Sequence, residues 1–138
     1  MGLFVDTSVW SLAFRRDSPP NLPEVDKLRE ALTQGDLVCS TGMVLLELLR
    51  GAVLSKTSAT IQTAFDSLEL IEPTTADYVA AATVGNVCRS VGIQIGSVDA
   101  LIAHLVSSNG HTLLTTDKDF LLAQQAMDLK VWQEPGAK

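Results

Sequence analysis

The chain has 138 residues, 46% of them hydrophobic and 19% charged, with a formal net charge of −6. This length accommodates one domain with a sizeable core, and this composition excludes an intrinsically disordered chain. An acidic balance also excludes a general electrostatic attraction for nucleic acid, so such a ligand would have to be held by metal ions, a few local cations or a partner.

In chain order, the first element is a strand over Leu3 to Val5, closed by Asp6. Thr7 and Ser8 can cap a short helix through Val9 to Leu12. Arg15 to Pro20 reads as a polar, proline-rich loop. Val25, Leu28, Ala31 and Leu32 recur at helical spacing, and Gly35 stops that helix. Asp36 to Ser40 is a second strand. Ser40 or Thr41 then caps a helix from Met43 to Arg50 that Gly51 can terminate; it is apolar almost all round and is expected to be buried. A helix from Thr57 to Leu68 follows, then a short extended piece at Leu70 and Ile71 that Pro73 ends, then an alanine-rich helix from Thr75 to Val91. Residues Gly92 to Gly96 form a loop or short strand, and Ser97 caps a helix through Val106. Asn109-Gly110 is a turn, Thr112 to Thr115 a strand, Lys118 to Ala126 a helix, and Leu129 to Trp132 a final edge strand before a frayed tail from Glu134. Strands alternating with helices argue for one α/β domain over residues 1–138, with a parallel sheet covered on both faces.

Cys39 and Cys88 lie far apart and lack CxxC spacing, so they read as buried free thiols, which suits a reducing cytoplasm. The sequence shows no secretory signal, and its longest apolar stretch, Met43 to Leu54, is interrupted by Glu47 and Arg50 and is too short to span a bilayer.

Chemistry concentrates on four acids. Asp6 and Asp117 each close an apolar run of strand character, and the carboxyl ends of parallel strands face the ligand crevice. Glu47 and Asp99 interrupt apolar runs expected to be buried. Each acid has a bland explanation. Asp6 and Asp117 can cap helices, Asp99 can complement a helix dipole, Asp119 can pair with Thr116 in a capping-box-like arrangement, and Glu47 can pair with Arg50 one turn on. One shared cation explains the set more simply, because buried charges are paired or bind metals. The donors are oxygens without a Cys or His cluster, which favours Mg²⁺ or Mn²⁺, one ion or two, with water activated against a phosphodiester. Thr7, Ser8, Thr115 and Thr116 offer hydroxyls to orient that water. Arg15, Arg16, Arg50, Lys56 and Lys118 are candidate phosphate contacts, each equally readable as solvated surface. His104 is expected in a packing role and His111 at the surface. Rivals remain open: a phosphatase using Asp6 as nucleophile, although Ser8 stands where that class wants a second acid, and a non-catalytic acidic interaction module.

The segments Val5-Asp6-Thr7-Ser8-Val9, Glu47-Leu48-Leu49-Arg50-Gly51, Asp99-Ala100-Leu101-Ile102-Ala103 and Leu114-Thr115-Thr116-Asp117-Lys118-Asp119-Phe120 together resemble a PIN domain. More closely, the chain resembles the VapC-type toxins of prokaryotic toxin–antitoxin pairs, nearly end to end. The resemblance implies a three-layer α/β/α fold with a central parallel sheet of four to five strands, and a Mg²⁺- or Mn²⁺-dependent endoribonuclease. The acidic quartet, catalytic and metal-holding, falls on Asp6, Glu47, Asp99 and Asp117. The small hydroxyl near the metal falls on Thr7, with Thr116 as a second such position, and Asp119 occupies a variable acidic position. Arg50 stands where relatives carry a basic residue that contacts antitoxin or RNA. The implied partners are RNA, a cognate VapB-like antitoxin that lays an apolar helix into a groove, and a second copy in a homodimer. A housekeeping PIN nuclease of RNA maturation is the other role this resemblance allows.

Overall fold

The computed structural model describes residues 2–15, 22–52 and 54–136; Arg16 and the rest of the proline-rich loop, and the last two residues of the tail, lie outside them. Four strands, β1 (Leu3–Val5), β2 (Val38–Thr41), β3 (Glu69–Ile71) and β4 (Thr112–Leu114), form one sheet in the order β3-β2-β1-β4. Every neighbouring pair is parallel, with Leu3 opposite both Val38 and Thr112. Parallel neighbours need crossovers, and helices supply them. Among the described residues these are α1 (Thr7–Ala13), α2 (Pro23–Thr33), α3 (Gly42–Gly51), α4 (Ser55–Asp66), α5 (Thr75–Ser90), α6 (Ser97–Ser108) and α7 (Lys118–Ala123). The result is the expected α/β/α sandwich. Leu3, Phe4 and Val5 are all buried, as a central strand covered on both faces requires.

Two glycines set the entry angles of the elements that matter most. α6 ends in a Schellman motif: Gly110 takes φ +69°, its N–H donates to Ser107 O, and His111 N–H donates to Val106 O at 3.0 Å. α5 ends the same way at Gly92, φ +83°, with Ile93 N–H donating to Cys88 O at 2.9 Å. Gly110 turns the chain directly into β4. Nothing lies within 4 Å of a side chain placed there, so Gly110→Ala isolates the backbone cost. Chemical denaturation should show a loss of about 1–2 kcal/mol; an unchanged midpoint would count against the left-handed turn.

Several sequence expectations shift. β2 starts at Val38 because Asp36 is drawn into the close of α2, its N–H donating to Ala31 O. α7 stops at Ala123, three residues early. The expected edge strand at Leu129 to Trp132 is reduced to one parallel bridge, Leu113 to Val131, with Trp132 N–H donating to Leu113 O at 2.8 Å. α3 is not buried all round. Val44 and Leu48, one turn apart, face the core, while Leu46 is 51% exposed and Glu47 is exposed. α3 belongs to an outer layer, so only one stripe of it can meet the sheet.

His111 is also not a free surface residue. Pairing of Leu3 with Thr112 brings Gly2 alongside, and Gly2 N–H donates to His111 Nδ1 at 2.8 Å. Burial holds this imidazole below the usual histidine range, so it accepts the bond in its neutral form. His104 is packed as expected, and its Nε2 meets Asp77 Oδ1 at 2.9 Å, tying α6 to the capping box of α5. Cys39 and Cys88 are buried and free; burial raises the Cys39 thiol to about 11, which makes it unreactive.

The topology fixes where a ligand can go. From β1 the chain moves outward through β2 to β3, then returns to the opposite side of β1 with β4. The strand order reverses between β1 and β4, and open parallel sheets bind ligands outside the carboxyl ends at such a point.

Candidate metal centre

Asp6 follows β1 and Asp117 lies just beyond β4, so both stand at that switch point. Asp99 reaches it from another direction. α6 runs back toward the start of β4, so its first turn sits at the carboxyl edge of the sheet, and Asp99 is in that turn. Gly96, not Ser97, occupies the N-cap of α6.

Asp6 is 4% exposed, and each of its oxygens is engaged. Oδ1 accepts from Ser8 Oγ at 2.6 Å and from Ser8 N at 3.1 Å, and Oδ2 accepts from Thr115 Oγ1 at 2.6 Å. Burial pushes this carboxyl above the usual range, against hydrogen bonds from Ser8, Thr115 and Val9 that pull it down. The same two hydroxyls bind the facing loop, because Thr116 N–H donates to Ser8 Oγ at 3.0 Å and Asp117 N–H to Thr115 Oγ1 at 3.0 Å. Ser8 and Thr115 therefore clamp the end of β1 to the end of β4. Their protons are committed to Asp6 rather than to a water. The signal for them was in the sequence: a carboxylate closing a buried strand needs donors, and a hydroxyl two residues on, or at the end of the adjacent strand, can supply one.

Asp117 caps α7, with Asp119 N–H donating to its Oδ1 at 2.9 Å, and the alternative capping-box-like pairing of Thr116 with Asp119 does not form. Carboxylate oxygens of Asp99, Asp117 and Asp119 all lie within 4.8 Å of one another. Asp119 thus stands closer to the centre of the site than its place in the sequence suggests. Asp99 is half-buried, and its carboxyl is pushed up to about 6, first by burial and then by the charges of Asp117, Asp6, Glu47 and Asp119. All five acids therefore bear on one place.

Glu47 reaches this place from α3, and its partner is not Arg50. Thr7, the first residue of α1, donates from Oγ1 to Glu47 Oε1 at 2.7 Å. Glu47 is exposed at the rim, and Arg50, Lys56 and Lys118 are exposed as well. The hydroxyl of Thr116 stands outside this network; its backbone alone takes part.

The donor set fits a hard divalent cation. Every group is a carboxylate oxygen, and oxygens sharing one Mg²⁺ lie at most about 4.2 Å apart, a spacing these side chains reach by small rotations. Burial first, and then repulsion from the neighbouring acids, hold the Asp99 carboxyl up, and a cation bound there would offset that repulsion.

The fold is a three-layer parallel α/β sandwich with carboxylates gathered at its switch point. The PIN domain family model matches residues 3–124, and the chain belongs to that family. In structure it is similar to VapBC2 from Rickettsia felis, solved bound to a DNA fragment of its promoter (19% identity, TM-score 0.76, covering 96% of this chain and 100% of that one). It is similar to VapBC-1 from nontypeable Haemophilus influenzae (19%, TM-score 0.74, 96% and 98%). It is also similar to VapC20 from Mycobacterium tuberculosis, a toxin that cleaves the sarcin–ricin loop (16%, TM-score 0.68, 88% and 95%). At these identities the likeness is one of fold. No curated protein sequence matches the chain.

Proposed function

We propose that this protein is a Mg²⁺- or Mn²⁺-dependent endoribonuclease and the toxin of a VapBC-type pair. The observation that carries this reading is the convergence of the Asp99, Asp117 and Asp119 carboxylates at the switch point, with Asp6 and Glu47 bearing on the same place. Membership of the PIN family and the fold shared with VapBC proteins support it.

In this reading Asp6, Asp99 and Asp117 hold one or two ions, with Asp119 and Glu47 as further oxygen donors. A bound ion supplies positive charge to the phosphate and lowers the pKa of water. Glu47, exposed at the rim and oriented by Thr7, takes the proton of the attacking water. Ser8 and Thr115 aim the buried Asp6, and their hydrogen bonds favour its ionised form against the opposing effect of burial. The substrate is single-stranded or looped RNA, whose unpaired bases a protein can read. Arg50, exposed on α3 three residues beyond Glu47, supplies a phosphate contact, a local cation in a chain whose net charge is −6.

The antitoxin is a VapB-like chain. A cleft of about 420 Å³ between α1, α3 and α4 is lined by Phe14, Leu48 and Ile61 as well as by Thr7 and Glu47. It suits an apolar helix that ends in a basic side chain aimed at the acids. A homodimer in the cytoplasm is the expected form of the free toxin; no helix among the described residues is long and apolar enough to cross a membrane.

One observation favours a second reading: Asp6 and Asp117 do cap α1 and α7, as a purely structural role would have them do. Antitoxin-free protein incubated with total RNA separates the two. Discrete cuts with Mn²⁺ or Mg²⁺, absent with EDTA and absent in Asp6→Asn, are expected. No cutting together with no metal binding by calorimetry would leave the acids as caps in an interaction module.

A further inference from the structure

We propose that the cleft between α5 and α6 is a base-reading subsite that seats one nucleotide of the RNA beside the bond to be cut; this rests on the nuclease reading above. The cleft encloses about 540 Å³, within the range of about 300–1,000 Å³ typical of small-ligand sites. One of its walls is the first turn of α6, the turn that carries Asp99. Ser97, Val98 and Ala100 line the cleft, while Asp99 between them turns its carboxylate to Asp117 and Asp119. The first turn of α6 is thus the wall shared by both.

The lining has the chemistry of a nucleotide site rather than of a plain apolar groove. Tyr78 is 54% exposed and stacks on no other ring among the described residues, so its face is free for a base. Arg89 is held in place by Asn86, its Nη2 donating to Asn86 Oδ1 at 2.6 Å. A fixed guanidinium at the lip of this cleft, in a chain of net charge −6, suits a phosphate. The amide of Gln94 offers both a donor and an acceptor to a base edge.

Gly85 supplies an independent argument. It lies in the middle of α5, where alanine is the better helix former. Its backbone is not in the left-handed region. A side-chain carbon there would meet nothing tighter than Ala100 Cβ at 3.9 Å, an ordinary contact. Neither backbone conformation nor helix packing requires a glycine at this position, and a large side chain here would fill part of the cleft that Gly85 lines. A recess beside a cation and an exposed aromatic ring matches a nucleotide, and the apolar side chains that α5 also exposes, Val79 and Val87, make a second copy of the chain the rival that the test separates.

The test titrates the four nucleoside 5′-monophosphates into the full chain in EDTA, followed through backbone amide NMR shifts. One monophosphate is expected to shift residues 78–101 more than the other three. Arg89→Ala and Tyr78→Ala should each weaken it about tenfold. Gly85→Leu should abolish binding with its melting temperature held or raised; the exposed Arg89→Ala keeps the test decisive if Gly85→Leu fails to fold. With Mn²⁺ and RNA, the same variants should cut a changed set of sites. The subsite is overturned if no monophosphate perturbs this surface, or if Arg89→Ala and Gly85→Leu bind like wild type. It is equally overturned if Gly85→Leu alters the oligomeric state and leaves nucleotide binding intact, which would make the cleft an interface between copies. Binding is read without metal, so the two proposals fail separately. A wild type that binds a nucleotide here but cuts no RNA sinks the nuclease reading, and one that cuts RNA with unchanged preference in every variant sinks the subsite.

Discussion

Asp99→Asn should abolish RNA cleavage and, in metal-free protein, raise stability. The first effect follows from the proposed nuclease site: losing one group that stabilises transition-state charge costs about 10²- to 10³-fold in rate. The second follows from repulsion. Asp99 is held near 6 by burial and by the charges of Asp117, Asp6, Glu47 and Asp119, against about 3.9 in an unfolded chain. Below about pH 4 the group is protonated in both states and the fold loses nothing. As pH rises toward 6, the unfolded chain gives up this proton first, so the folded state loses stability across that window. Asparagine does not titrate, so the variant should draw ahead of wild type between about pH 4 and 6 and keep its lead at pH 7. Solvent screening at a half-exposed site limits the gain to about 1 kcal/mol. Divalent ions should reverse the ranking, since a ligand at 100 times its Kd stabilises by about 2.7 kcal/mol and the variant forfeits part of that. Melting curves with EDTA and with Mn²⁺, from pH 4 to 8, read both terms. An Asp99→Asn protein that melts below wild type in EDTA would mean that Asp99 serves the fold and not a cation.

The acids at strand ends were legible because a parallel sheet presents its carboxyl ends to one crevice, and a short apolar run closed by Asp marks such an end. Asp6 and Asp117 stand at that crevice for this reason. Glu47 shows the limit of the same reasoning. Its apolar neighbours suggested burial, yet it is exposed, and a hydroxyl forty residues away in the chain orients it. Hydrophobic pattern reports how apolar a helix is, not how much of it the neighbouring layer covers. The clamp formed by Ser8 and Thr115 was half legible: the hydroxyls were evident, but their commitment to Asp6 depends on β1 and β4 being neighbours, a non-local fact. The α5–α6 cleft was not legible at all. Ala81, Ala82, Gly85 and Ala100 read in sequence only as good or poor helix formers, and the recess exists because two helices bring small residues face to face.

Thr115→Val should cost about 2–3 kcal/mol, a large effect for a change that conserves shape. Thr115 is 7% exposed, and its hydroxyl both donates to Asp6 Oδ2 at 2.6 Å and accepts the N–H of Asp117 at 3.0 Å. Valine removes the donor from a buried carboxylate and the acceptor from the N–H that starts the α7 cap. Nothing else among the described residues donates to Asp6 Oδ2. The Asp6 carboxyl, already raised by burial, loses one of the bonds that restrain it and rises further. A metal ligand with a higher pKa competes less well with protons, so the acid limb of any metal-dependent cleavage should move to higher pH. Thr115→Ser keeps the hydroxyl and loses a methyl group, so it should restore the pH profile while giving up only a small packing contribution. That ordering separates two roles for one side chain. If Thr115 merely fills space at the end of β4, valine is the milder change and serine the harsher; if it positions Asp6, serine is the milder. Denaturation midpoints together with the pH dependence of Mn²⁺ binding for the two variants decide it, and a valine variant indistinguishable from wild type in both would remove Thr115 from the site.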